Sequence, residues 1–485
     1  MSVSSLITPD DDVVPFFKLS LKDKLPYMKE LFVNSFPTVA AFLTPALTTF
    51  ISLYFLSKYH NDELIAGYGL GAMFSSAFGL AWIYSFNQAT NVFISQAFGA
   101  QNYDKCGTYL RRNIIILGFL LIPLGICLIT ADKIMILFGV KEELAIIGGT
   151  FTRLSLPFMV GATLFDSMKS FLIGQKVFNP ILYIQGFTLC LHAIWSKIFL
   201  DIFHLGIEGT VVCRILEEWA NAGLIYFYIK KSGKFTKTWG SWNKSLIEFQ
   251  ELWKQFKFST SISFISYVQW IFYEVLTIIA GNFDAKQVVV HVAIGNTSSV
   301  PFLYTMAVGV TMLTYVGNNL GAKKTIKARN YSHAGYTLLI LLTVFFGSAL
   351  WIILNQWLVF WSSDLETQDY LLQAVKIYSF GSLLVDGINN GMVSILKSVG
   401  KERQTIISIL ASLYMIGIPL IILCAFVLGL KVAGIWLAFG IASVALSLIH
   451  ARNIFRLNWT TIQRDVTENL KNSQSRNDQE LNQLL

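Results

Sequence analysis

Glu274, Asp386, Asp166, Glu217 and Glu218 each stand inside an otherwise apolar stretch of the chain. A carboxylate surrounded by hydrocarbon costs several kcal/mol unless it is paired, protonated or turned to water, so residues placed this way are candidates for binding protons or cations. Glu274 is the sharpest, about seventeen residues into its stretch, flanked by Trp270 and Tyr273, with no basic residue within a helical turn. Asp386 follows, with Asn389 and Asn390 one turn on. The plainer alternatives are a protonated Glu274 bonded to a neighbouring helix, and a hinge aspartate bonded to Asn390. Asp166 has Lys169 at the i+3 spacing of a local ion pair. Arg214 and Glu218 are set for an i,i+4 pair that leaves Glu217 over; the cluster reads as a structural network reaching Arg153, or else as a first-half binding acid. Five cysteines, Cys106, Cys127, Cys190, Cys213 and Cys424, have no paired spacing, and six histidines show no ligand or catalytic pattern. No disulfide framework, metal site or cofactor is expected, and no enzyme.

The elements holding these groups follow from composition. Of 485 residues 54% are hydrophobic and 14% charged, with mean hydropathy +0.56, against about 25% charged in a soluble chain. The apolar residues gather into stretches of about twenty or more, the length a helix needs to cross a ~30 Å hydrocarbon core. Spans are expected near residues 35–57, 64–94, 113–138, 146–174, 178–202 and 206–230, then 257–281, 286–317, 332–358, 370–397, 405–430 and 433–456. The expected organisation is a tail over 1–34, a six-helix lobe over 35–230, a basic linker over 231–256 with an interfacial helix, a second lobe over 257–457, and a polar tail over 458–485. The net charge of +8 does not point to nucleic acid. With the N-terminus in the cytoplasm, 28 of the 37 Lys and Arg fall on that side, a positive-inside bias that places both termini there. The first thirty residues are polar and carry Asp10, Asp11 and Asp12, so no cleavable signal peptide is expected. Sequons at Asn243, Asn330 and Asn458 fall on the cytoplasmic side, and the one at Asn296 lies inside a span; none predicts glycosylation.

The two sets of spans repeat one another. Ser95-Gln96-Ala97-Phe98-Gly99-Ala100 follows the second span and Gly317-Asn318-Asn319-Leu320-Gly321-Ala322 follows the eighth, each leading into a basic run. Their Gly-Ala pairs lie 222 residues apart, and the ends of the fourth and tenth spans, at Gly174-Gln175-Lys176 and Ser398-Val399-Gly400, correspond at 224. An even number of spans per half makes these parallel repeats about an axis along the membrane normal.

These motifs resemble the multidrug and toxic compound extrusion (MATE) family, in particular its eukaryotic branch, over nearly the whole of residues 30–457. Gln96 and Gly99 match the family's motif after helix two, and Asn319 and Gly321 its second-half partner. Trp270 with Glu274, Asn296-Thr297, Gly391, and Tyr414 with Gly417-Ile418-Pro419 match further positions. The resemblance implies a V-shaped pair of six-helix lobes and an antiporter exporting organic cations or amphipathic compounds, driven by protons or Na⁺. It places Glu274 and Asp386 together as coupling acids, whose mutual repulsion when ionised would favour proton uptake. It also places Trp270, Tyr273 and Tyr304 around the cavity, where rings hold cations by cation–π attraction. Asn296, Asn389 and Asn390 are further lining candidates; Asp166, Glu217 and Glu218 are secondary acids. The chain departs from the pattern at Tyr315 and Asn319, and helix one lacks the acid of bacterial members.

The expectation is therefore a monomeric, multi-pass antiporter in the plasma membrane or an acidic endomembrane compartment. Its partners are the lipid bilayer, a small organic cation and protons. A lipid or lipid-linked oligosaccharide flippase of similar architecture is the alternative, then a Na⁺-coupled exporter; a flippase cavity would carry cationic side chains for phosphate, and a membrane acyltransferase would need a His constellation.

Overall fold

The computed structural model describes residues 14–470 apart from position 243. Asp10, Asp11, Asp12, the Asn243 sequon, both termini and the tail beyond 470 lie outside the described residues. Every regular element among those described is helical, as lipid demands of a chain that must satisfy its own backbone. The first half comprises α1 (Leu21–Ser57), α2 (Asp62–Gly99), α3 (Tyr103–Ile129), α4 (Ala131–Leu137), α5 (Glu142–Leu154), α6 (Leu156–Gly174), α7 (Asn179–Ile202) and α8 (Gly206–Lys231), followed by the short α9 (Thr236–Trp239). The second half comprises α10 (Phe249–Ala280), α11 (Ala285–Gly321), α12 (Thr325–Ile352), α13 (Leu354–Trp361), α14 (Leu365–Ser398), α15 (Glu402–Val427) and α16 (Lys431–Phe455). Eleven of these are long and apolar enough to cross a membrane. The twelfth span is α8, whose 26 residues include the buried Arg214, Glu217 and Glu218. Asn61, Asp284 and Asp364 cap α2, α11 and α14 by accepting the backbone N–H three residues on.

Four local expectations change. The stretch 146–174 is two helices parted at Ser155, because Pro157 has no N–H to give and its ring collides with the carbonyl four residues back. The third and ninth spans end early, at Thr130 and Ile353, and restart as short helices. The linker's interfacial helix is no separate element but the first turns of α10. Beyond α16 the chain is helical again over 459–470, with Ile462, Val466 and Leu470 buried at four-residue intervals.

The duplication is written in the backbone. After α2, Gln101 takes φ +60° while Asn102 N–H bonds Ala97 C=O and Gln101 N–H bonds Phe98 C=O; after α11, Lys323 takes φ +60° with the same bonds from Lys324 to Asn319 and from Lys323 to Leu320. This is the two-bond helix stop with a left-handed residue. The same stop recurs after α6 at Lys176 (φ 62°) and after α14 at Gly400 (φ 70°). Thr130 and Ile353 share φ −97° and ψ 13°.

The described residues form two compact units, one holding Pro37–Ser263 and the other residues 264–470 together with 14–36. In each, apolar side chains such as Phe119, Ile122 and Ile126 of α3 or Met415 and Val427 of α15 are exposed, while Ser, Thr and Asn side chains fill much of the interior. That inversion suits a lipid-facing surface, and small residues inside let helix backbones approach closely.

Candidate functional site

Asp386 lies in the unit that begins at Phe264, and glycines set its position. Gly387 leaves no room for a side chain: a Cβ there would fall 2.2 Å from Thr343 Cγ2 of α12. Gly309 of α11 packs in the same way against Ser394 Oγ and Asn390 C=O of α14, and Gly391 against Leu339 of α12. Three helices thus pack closely beside the carboxyl, α12 pressing on glycines of α14 and α11 presenting a glycine to it. A π-turn over Tyr378–Ser382, one turn before Asp386, lets α14 change face without breaking.

The result is a small, partly open cavity with ≈ 10 Å³ of water-accessible space, lined by Ser298, Thr305, Phe302, Thr343, Tyr378 and Asp386 among others. Tyr273 of α10 donates its hydroxyl to Asp386 Oδ2 at 3.0 Å, and its ring packs on Phe439 of α16 with centroids 5.4 Å apart. Among the described residues no ion pair is formed with Asp386. Asn390, the partner expected for Asp386, instead donates to Thr305 Oγ1 at 2.9 Å. Asn389 is buried and donates to Ser443 C=O at 3.3 Å.

Glu274 makes no hydrogen bond with Asp386 among the described residues. Successive side chains on a helix point about 100° apart, so when Tyr273 turns to Asp386 its neighbour turns away, and Glu274 is exposed. The expected burial of Glu274 is corrected by this exposure. Trp270 is half-buried; Asn296 is exposed and bonds its own Val292 C=O; Tyr304 packs on Phe346. Of the proposed lining aromatics only Tyr273 touches a carboxyl. Thr305 and Ser298 were missed by sequence reasoning, for which hydroxyls on a helix carry no distinctive signal.

The unit holding Pro37–Ser263 has a different interior. Arg214 donates to Thr48 Oγ1 of α1 at 2.5 Å and to Glu217 Oε2 at 3.4 Å. Glu217 also lies 3.1 Å from Nδ1 of His192 on α7, whose Nε2 meets Ser52 Oγ of α1 at 3.2 Å. The cluster therefore joins α1, α7 and α8 through the i+3 pair with Glu217, not through Glu218, whose Oε2 is buried without a partner among the described residues. Arg153 is no part of it, standing 4.0 Å from Asp132 near the surface. Asp166 is paired with Lys169 as its spacing predicts, beside Asn113, Asn87 and Ser167, which bond one another. His192, Thr48 and Ser52 were not legible, being far from Glu217 in sequence.

The repeat-motif residues act locally. Gln96 and Gly99 close α2, Gly321 closes α11, and Asn319 bonds back to Tyr315 C=O at 2.7 Å. Tyr315, one of the departures from the family pattern, accepts from Asn34 Nδ2 at 2.9 Å and packs on Tyr331. Among the described residues no set of three His, Cys, Asp or Glu is grouped to hold a metal. Between helices, Asp364 is held down at about 2 by the Lys286 ammonium and by the hydroxyl and N–H of Thr367; Lys431 and the Gln287 N–H hold Asp284 down likewise.

Comparison with known proteins bears on both halves. The MatE family model matches residues 37–198 and again 261–423, once in each half. Protein DETOXIFICATION 16 of Arabidopsis thaliana is 23% identical over 95% of this chain and 92% of its own length. Multidrug and toxin extrusion protein 1 of Oryctolagus cuniculus is 23% identical over 91% and 77%. The crystal structure of the eukaryotic MATE transporter AtDTX14 superposes with a TM-score of 0.84, at 21% identity, covering 92% of this chain and 99% of that one.

Proposed function

The chain belongs to the MatE family, whose members are transporters and not enzymes, and from that premise we propose that it exports organic cations or amphipathic compounds in exchange for protons. It is a multi-pass membrane protein. The relatives' names, multidrug and toxin extrusion and detoxification, support the substrate class.

The observation that carries the reading is the carboxyl of Asp386 in a small cavity, with a hydroxyl donor and, among the described residues, no ion pair. A proton neutralises such a group at least cost. At ≈ 10 Å³ of water-accessible space the cavity holds about one water, so it suits a proton and a water better than the exported molecule. Glu274, exposed near mid-helix, makes sense on a water-lined surface, where with Trp270 it attracts a cationic substrate. Only a difference in affinity between conformations lets proton and substrate drive one another.

Reconstituted vesicles with imposed pH and Na⁺ gradients test this. A pH gradient is expected to drive uptake of a dye cation without Na⁺, and Asp386→Asn to abolish it. Transport that needs Na⁺ and ignores pH would refute proton coupling, and release of phosphate-bearing lipid to the opposite leaflet would favour the flippase. In a cell the proposal places the protein as a monomer in the plasma membrane or an acidic endomembrane compartment, with both termini cytoplasmic.

A further inference from the structure

His450 is wholly buried near the end of α16, and neither ring nitrogen has a hydrogen-bond partner among the described residues. A neutral imidazole carries one donor and one acceptor, and leaving both unpaired in a dry interior costs several kcal/mol. Those bonds therefore go to water. His450 is not isolated, because Trp436, Gly440, Ser443, Ser447 and His450 recur at spacings of four and three residues, which places them on one stripe of α16.

The opposite wall of the upper stripe is α14. Tyr378 packs on Trp436 at 5.7 Å between centroids, a Cβ on Gly440 would meet Ser382 Oγ at 3.5 Å, and Asn389 bonds Ser443 C=O. Trp436 Nε1, Ser382 Oγ, Asn389 Oδ1 and Ser447 Oγ all lack partners among the described residues, as His450 does. Unpaired polar atoms strung along one face of α16, its upper part against α14, are what a file of internal water requires, each water needing two or more polar contacts.

We propose that this stripe is a hydrated proton path joining Asp386 to the end of α16 that holds His450. The inference rests on the proton-exchange reading above and extends it from a binding site to a route. From Asp386 to Asn389 the rise is about 4.5 Å, from Ser443 to Ser447 about 6 Å and from Ser447 to His450 about 4.5 Å, gaps that one or two waters bridge. At the far end His450 takes a proton on one nitrogen and yields one from the other, so no net charge accumulates. Among titratable groups on the neighbouring helices, Asp386 is the proton's site, His291 of α11 packs on Trp436 at 5.8 Å between centroids and meets Thr277 Oγ1 through Nε2, Tyr378 of α14 packs on the same ring, Lys397 of α14 donates to Ser266 of α10, and Glu402 opens α15.

The experiment uses the full chain in vesicles and in detergent. X-ray hydroxyl-radical footprinting is expected to oxidise His450 faster than His192, which is as buried but bonded to Ser52 and set against Glu217. His450→Phe is expected to slow pH-driven exchange about tenfold, or about 1.4 kcal/mol, with equilibrium binding of a dye cation within about twofold of wild type. His450→Gln, which keeps a donor and an acceptor for water, should recover most of the rate. If His450→Phe does not insert, Ser447→Leu on the same stripe is expected to give the same slowing. An unlabelled His450, or wild-type exchange in whichever apolar variant inserts, overturns the path. If Asp386→Asn also exchanges normally, the proton-exchange reading itself falls; if Asp386→Asn is dead while His450→Phe is unaffected, only the route falls.

Discussion

The two halves share turns down to individual φ angles, yet their interiors hold charge in opposite ways. Around α8, Arg214 bonds Thr48 and Glu217, Glu217 lies beside His192, His192 bonds Ser52 and Asp166 has Lys169, while Glu218 keeps a buried oxygen without a partner among the described residues. Around α14, Asp386 has one neutral donor, a cavity and no ion pair among the described residues. Duplication reproduces the scaffold, while a side chain's partners decide whether its charge is spent on structure or left available. A buried pair is expensive to break, since removing one partner strands the other; a lone carboxyl beside a cavity can change protonation without stranding anything.

The largest test of this contrast is on transport. Asp386→Asn is expected to lower pH-driven exchange at least about 100-fold, some 2.7 kcal/mol of barrier, while Asp166→Asn stays within about threefold per inserted molecule. Similar losses in both would show the first half to be a coupling site as well. Stability should give the reverse order. Glu217→Gln leaves Arg214 buried with a weaker partner and is expected to cost about 3–5 kcal/mol, read as an early melting transition in detergent, whereas Asp386→Asn should melt close to wild type.

A smaller effect tests the packing that aims Asp386. In Gly387→Ala the new methyl meets Thr343 Cγ2, and overpacking of this kind costs about 1–3 kcal/mol. Adding Thr343→Ser removes the clashing methyl and should recover most of the loss. No recovery would mean that α12 does not set the height of α14.

What the sequence showed of all this depended on range. The spans, the duplication and the Asp166–Lys169 pair are local or periodic signals, and they were legible. The break at Ser155 was legible too in hindsight, since Pro157 announces it, and so was the helix over 459–470 from the spacing of Ile462, Val466 and Leu470. The Tyr273–Asp386 bond was not, because 113 residues separate the partners and the rotation of α10 that turns Tyr273 inward and Glu274 outward is set by packing. His192 joined Glu217 for the same reason: a lone histidine in an apolar stretch gives no hint of its neighbour.

The smallest effect concerns the ends of the helices, where the two halves behave alike. Lys286 bridges Asp364 and Glu366 in one unit, and Lys58 and Lys197 share Asp201 in the other. Asp364 is exposed, so screening leaves little energy in its pair, and Asp364→Asn is expected to move the melting temperature by about a degree. The sign with pH follows from its depressed carboxyl. A group held near 2 in the fold contributes stability above the ordinary carboxylate range and loses it only as pH falls through about 2. The difference between wild type and Asp364→Asn should therefore be the same at pH 7 and pH 5, across the interval in which a proton-driven cycle operates. A difference that disappears by pH 5 would mean that Asp364 titrates with the cycle, and the clasp would then belong with Asp386 among the groups that respond to protons.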